Sequence, residues 1–265
     1  LNEAPKVKPV ILDFIDMGST GSRTILWANK INEQGNAAFI GEGILKPLRS
    51  FQIALEQSVA KKEAVRYRTS TETLEDRATF LSELRSDGFE ELRRQLSTAV
   101  LSGTVSSTSI GGIIPEATAY NITTIKGEDP DNYGAIRAAV AQIVSLNFVP
   151  NAVLVNPIDA ANMDLKKGSN GQYVMPPFAN ENGQNVAGLP VVESNEIAVG
   201  YLLVGDFKKY HVRMYLGPRL DIGTDGNDFS ENMRTVIVEQ RLHAYVKSVD
   251  AGAFLYDTFA NIKTA

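Results

Sequence analysis

The stretch that decides the fold runs from Gly188 to Phe254 and opens GLPVVESNEIAVGYLLVGDF (188–207). YHVRMYLGPRLDI (210–222), a Gly/Asp/Asn loop and NMRTVIVEQRLHAYVKSVDAGAF (232–254) follow it. Val191-Val192 and Tyr201–Val204 are short β-rich runs bounded by Gly, Pro, Ser and Asn, the pattern of buried strands. Tyr210–Tyr215 alternates, with Tyr210, Val212 and Met214 on one side and His211, Arg213 and Tyr215 on the other. Arg234–Tyr245 reads as one long strand that carries its charges on one face.

Working outward, Ala152–Val155 is a short apolar strand stopped by Asn156-Pro157. Before it, Asp129-Pro130 is a helix start, because proline at the first helical position gives up an N–H that has no partner there. Ile136, Val140, Ile143 and Val144 form that helix's buried stripe. Lys166–Gly171 reads as a polar turn and Pro176–Gln184 as an exposed loop. Upstream, Asp87-Gly-Phe-Glu90 has the form of a capping box. Phe89, Leu92, Leu96 and Ala99 then recur at helical spacing up to Gly103. Thr73–Asp76 opens a shorter helical stretch.

Thr24–Ile31 and Ala37–Leu45 are strand-like runs around Asn32-Glu33-Gln34-Gly35-Asn36, a sequence with hairpin chemistry. Phe51, Ile53 and Leu55 alternate as a half-buried strand. A hairpin with so few core-forming residues needs a partner surface. Residues 1–12 mix Lys, Pro and Glu without periodicity, and Pro5 and Pro9 keep them extended.

The 265 residues carry a net charge of −5 and a pI near 5.2, with 43% hydrophobic and 22% charged side chains. That balance argues against a protein whose main work is gripping phosphate. With no Cys there is no disulfide, thiolate metal site or Cys nucleophile. His211 and His243 lack the neighbours of a metal site or a Ser-His-Asp arrangement, and read as strand-edge or surface residues. Asp221, Asp225, Asp228 and Glu231 form an acidic loop without EF-hand spacing, so it reads as a solvated turn. No cofactor and no catalytic residue is assigned.

One string resembles an enzyme element. Asp16-Met-Gly-Ser-Thr-Gly-Ser-Arg23 is similar to the first phosphate loop of actin-like ATPases and apyrases. Ser19 and Thr20 would sit in that loop, and Asp221–Gly226 would be its second loop. A nucleotide phosphohydrolase of that kind needs two large α/β domains, and the chain is short for them.

The ordered series GLPVV, a strand into GDF, an acidic loop, NM…E.R and a closing AF resembles the last half of the major capsid proteins of tailed double-stranded DNA phages. Their fold, the Hong Kong phage fold, is shared with encapsulins. The resemblance implies an α+β shell subunit that assembles with itself into hexamers and pentamers of an icosahedral shell around phage DNA, in the virion capsid, after assembly in the host cytoplasm. It implies an N-terminal arm (1–22), an extended hairpin loop (23–59), a peripheral domain with a spine helix (60–112 and 219–250) and an axial domain (113–218 and 251–265). Decoration or portal proteins are further partners it brings in. An encapsulin-like nanocompartment is the alternative. The chain opens on Leu1 rather than Met; cleavage by a maturation protease and simple trimming are equal explanations.

The same resemblance points to inter-subunit contacts at Trp27, Phe39, Ile44, Lys46, Asp225, Asp228, Asn232 and Glu239, with the acidic loop meeting Arg side chains of neighbours. Some relatives join subunits by an isopeptide bond between a loop Lys and an Asn, with a Glu as base. Asn232 and Glu239 stand at the Asn and Glu positions, and Glu42–Pro47 resembles the segment that carries the Lys. Gly43 occupies the Lys position, with Lys46 the nearest amine. Non-covalent cohesion is expected.

Overall fold

The computed structural model describes residues 8–76, 79–121, 131–168, 171–173 and 185–264. In chain order the strands and helices are β1 (Asp16–Ser19), β2 (Thr24–Gln34), β3 (Ser50–Val59), β4 (Lys61–Ser70), α1 (Thr71–Asp76), α2 (Phe80–Ser102), α3 (Ile113–Glu116) and α4 (Asn132–Ser145). There follow β5 (Ala152–Val155), α5 (Pro157–Asp164), β6 (Asn185–Val186), β7 (Leu189–Glu193), β8 (Tyr201–Gly205), β9 (Tyr210–Gly223), β10 (Met233–Val246), β11 (Phe254–Thr258) and α6 (Phe259–Thr264).

Three sheets organise them. A five-stranded sheet has the order β11-β8-β5-β7-β6, and a four-stranded one has the order β1-β9-β10-β4. The third is the two-stranded β2-β3 ribbon. Strands β5 and β8 are apolar runs because both faces of their sheet are covered. Leu154 and Leu203 point into a core with α2 residues Leu96 and Val100 and with Tyr210 and Leu242. Val153, Val155, Leu202 and Val204 point the other way, onto Ile136, Val140 and Ile143 of α4 and Phe259 and Ile262 of α6. The first core is shared by both large sheets and makes them one packed body.

Strand β9 is longer than the alternation at Tyr210–Tyr215 indicates, and it carries Pro218. The pairing with β10 shifts at Glu239/Arg241 and Arg241/Leu242, so Gly217-Pro218 sit in an irregular step where proline is tolerated. Asn156 caps α5 by accepting from the Ile158 amide, and Pro157 opens the helix, as the sequence suggests. Asp129-Pro130 and Pro176–Gln184 lie outside the described residues; within them, Asp131 caps α4 by accepting from the Gly134 amide.

The structure corrects four expectations. The partner of β2 is Ser50–Val59 rather than Ala37–Leu45, in a register running from Thr24↔Val59 to Ile31↔Gln52. Residues 37–45 instead belong to the exposed end of the hairpin. Helix α2 begins at Phe80, seven residues before Asp87. Asp87 accepts from the Tyr67 hydroxyl at 2.7 Å, and Gly88 lets the helix approach Val238 so closely that a Cβ would meet Cγ2 at 2.6 Å. The Asp-Gly pair therefore serves helix–sheet contact, and it does not start the helix. Third, the segment expected as an arm is folded into its own subunit from Ile11 on: Ile11, Leu12 and Ile15 are buried and β1 pairs with β9. Fourth, His243 is fully buried, and His211 is paired with Asp16.

Candidate assembly surfaces

The β2-β3 ribbon has two unlike faces. On one face, Trp27 stacks on Tyr245 of β10 with ring centroids 4.3 Å apart. Its indole N–H donates to Glu56 at 2.7 Å, and the Asn29 amide donates to the Ser248 hydroxyl at 3.0 Å. Below them, His243 Nε2 lies 3.1 Å from the Ser22 carbonyl and Nδ1 3.3 Å from the Ser58 hydroxyl. A carbonyl only accepts, so Nε2 carries the hydrogen. These contacts clamp the root of the hairpin to its own subunit. Trp27, expected at an inter-subunit contact, is placed in this internal clamp.

The opposite face carries Leu26, Phe51, Ile53 and Leu55. Leu26, Ile53 and Leu55 are 68%, 62% and 77% exposed. At the hairpin's far end Phe39 is fully exposed, and Ile44, Leu45, Lys46 and Leu48 are exposed too. Gly43 has φ +80°, a left-handed turn position that a lysine would occupy only with strain. Sequence reasoning saw the alternation of Phe51, Ile53 and Leu55 but missed that they face away from the body. The pairing with β2 decides that, and it joins Ile53 to Lys30 and Leu55 to Ala28, residues far apart in the sequence.

The acidic loop is neutralised from within. Asp225 is bound by Arg66 at 2.8 Å, and Arg68 reaches both Asp228, at 2.7 Å, and Glu231. Asp228 also accepts from the Thr235 hydroxyl and the Asp225 amide. The Thr235 hydroxyl, then that amide and Arg68, hold its carboxyl down to about 2. The arginines that meet this loop are thus supplied by β4 of the same chain. Phe229, between these carboxylates, is 88% exposed. This exposed ring was not singled out in a loop whose sequence advertises charge.

Glu239 is buried between Lys62, at 2.7 Å, and Arg219. Hydrogen bonds from Lys62 first and Arg219 second lower its pKa, which makes it a poor base. Asn232 is exposed at φ 54°, and its backbone carbonyl accepts from the Thr71 amide at 2.8 Å. The phosphate-loop reading fails on geometry. Asp16 is taken up by Arg213 and His211, and Arg213 is the main cause of its lowered pKa. Asp16 pairs with His211, ten residues before Asp221 on the same strand and so roughly 33 Å away, and the two loops do not converge. Among the described residues no group of three or more His, Asp or Glu side chains is placed to hold a metal ion.

Comparison with known proteins agrees with this architecture. The major capsid protein of Enterobacteria phage HK97 is 24% identical over 237 residues, 88% of this chain and 60% of that protein. The chain thus spans less than two thirds of that relative. A chain of Microbacterium phage Oxtober96 superposes with a TM-score of 0.77 at 16% identity, covering 97% of this chain and 93% of its own. A chain of Mycobacterium phage Bobi gives 0.73 at 18% identity, with 97% and 91% covered. A chain of the capsid of an empty GTA particle gives 0.70 at 14% identity, also with 97% and 91% covered. At these identities the likeness shows a shared fold. Residues 1–255 match the phage capsid family, and the chain belongs to it.

Proposed function

We propose that this chain is a shell-forming subunit, the major capsid protein of a phage, which assembles with itself into hexamers and pentamers of a closed icosahedral shell around double-stranded DNA. The observation that carries the reading is the hairpin: one face is clamped to the body, and the other presents Leu26, Phe51, Ile53 and Leu55 to solvent. An apolar surface of that extent on a projecting ribbon fits an interface between copies. On this reading Phe39, Ile44 and Lys46 contact a neighbouring copy from the hairpin's end. Asp225, Asp228 and Asn232 lie at a second contact, and Glu239 supports it from within. The peripheral domain comprises 60–112 and 219–250, and the axial domain 113–218 and 251–265. The net charge of −5 suits a container, since an acidic wall does not adhere to packaged DNA.

Its location is the virion capsid, reached by assembly in the host cytoplasm, with decoration or portal proteins as further partners. Negative-stain microscopy of the expressed chain, with nuclease-protected nucleic acid measured in the particles, tests this reading. Closed shells that protect DNA when made during infection support it. Shells that enclose only protein would favour an encapsulin-like compartment, and a chain that stays monomeric would refute both.

A further inference from the structure

Glu63 is a carboxyl of the helix–sheet joint with no ion pair among the described residues. Alternation along β4 turns Glu63, Val65 and Tyr67 toward α2, while Lys62, Ala64, Arg66 and Arg68 face out. Glu63 stands opposite Gln240, whose side-chain amide donates to its Oε2 at 2.6 Å. Oε1 is buried and has no partner among the described residues. The carboxyl lines a cleft of about 420 Å³ between α2 and the sheet, with Leu92, Leu96, Ala99, Ile110 and Leu242 around it.

Among the described residues no cation answers it. Lys61, on the same face, gives its ammonium to the carbonyls of Ser107 and Ser106 at 2.8 and 3.0 Å. Lys62 is turned to Glu239, at 2.7 Å. From α2, Arg94 is held by Glu91, and Glu91 itself is a further negative charge beside Glu63. Gln95 and Gln240 are the neutral polar neighbours.

We infer that Glu63 sits in the joint as a neutral acid, and that its ionisation loosens α2 from the sheet, so that this contact responds to protons. A protonated carboxyl fits the site: Oε2 accepts from Gln240, and the proton on Oε1 removes the cost of a charge in apolar surroundings. Burial is the main reason the group titrates only at about 7, with Glu91 adding to it. Its unfolded value is near 4.5. The folded chain therefore holds an extra proton between these values. The stability this lends is complete below about pH 4.5 and is lost as pH rises through 7.

The test is hydrogen exchange of the α2 amides in the full unassembled chain between pH 6 and 8, corrected for intrinsic exchange, with Glu63→Gln in parallel. For the wild type, protection of residues 80–102 should fall roughly tenfold, one pKa unit's worth. The Gln variant should show no such fall. An equal fall in both proteins, or a flat wild type, would overturn the inference. Side-chain carboxyl NMR of glutamate-labelled wild type keeps the test independent of the variant's folding. A Glu63 carboxyl titrating near 7 supports the inference, and one titrating below 5 overturns it.

Discussion

Trp27 lies flat on Tyr245, the planes 16° apart and the ring centres 4.3 Å apart, and this stack joins the root of the hairpin to the long strand of its own subunit. The hairpin's direction is thus set before any neighbour is met. Replacing Trp27 by Ala should leave the fold intact but free the root. Protease cleavage within 24–34 and 50–59 should become faster. In a double-mutant cycle with Tyr245→Ala, the two residues should couple by about 0.5–1.5 kcal/mol. Additive effects would show that the stack does not hold the hairpin.

Gly88 gives a second expectation. In an exposed helix Gly→Ala stabilises by about 1 kcal/mol. Here the new methyl would meet Val238 Cγ2 at 2.6 Å and Cβ at 3.1 Å. Overpacking of this kind costs about 1–3 kcal/mol, so Gly88→Ala should lower the denaturant midpoint. Adding Val238→Ala makes room for the methyl, and the pair should be less destabilised than the sum of the two single changes.

Much of the body was legible because its strands are buried on both faces: Ala152–Val155 and Tyr201–Val204 are apolar in sequence for the same reason that they are central in space. The hairpin's pairing was not. Ala37–Leu45 and Phe51–Leu55 are both apolar enough to partner Thr24–Ile31, and only the assembled register chooses between them. Helix α2 misled in a similar way, since Asp87-Gly88 looks like a cap while serving contacts to Tyr67 and Val238. At the acidic loop, the sequence shows the carboxylates but not their arginines, which β4 brings in from about 160 positions away. The family resemblance read correctly from order alone, since a series of elements survives when single residues do not.

Asp228 makes the loop acid-sensitive. Its carboxyl is held at about 2, below the unfolded value of 3.8. The stability it lends is present above that unfolded value and is lost as pH falls through about 2. Asp228→Asn should flatten the acid limb of a stability–pH profile between pH 4 and 2 and leave the neutral region parallel to wild type. An unchanged acid limb would mean that Arg68 and Thr235 do not hold the carboxylate in solution.

Cohesion between copies should be non-covalent. Gly43 offers no amine, and Lys46 lies three residues on, about 10 Å along an extended chain, just before Pro47. Glu239, held ionised by Lys62 and Arg219, is poorly suited to take a proton. Particles boiled in detergent should run as a single band near 28.8 kDa. A ladder of oligomers removed by Lys46→Ala or Asn232→Asp would contradict this.

In the proposed function the hairpin is the element that links copies. Asn29 and Ala54 are paired across the ribbon, so deleting residues 30–53 and joining these two through Asn-Gly keeps the clamped root, with Leu26 and Leu55, and removes Phe51, Ile53 and the exposed far end of the hairpin. Sedimentation velocity of this variant beside the full chain, with circular dichroism to confirm folding, is the direct measurement. The expected result is a folded subunit that forms no closed particles while the full chain does. Complete shells from the shortened, folded chain would contradict the account.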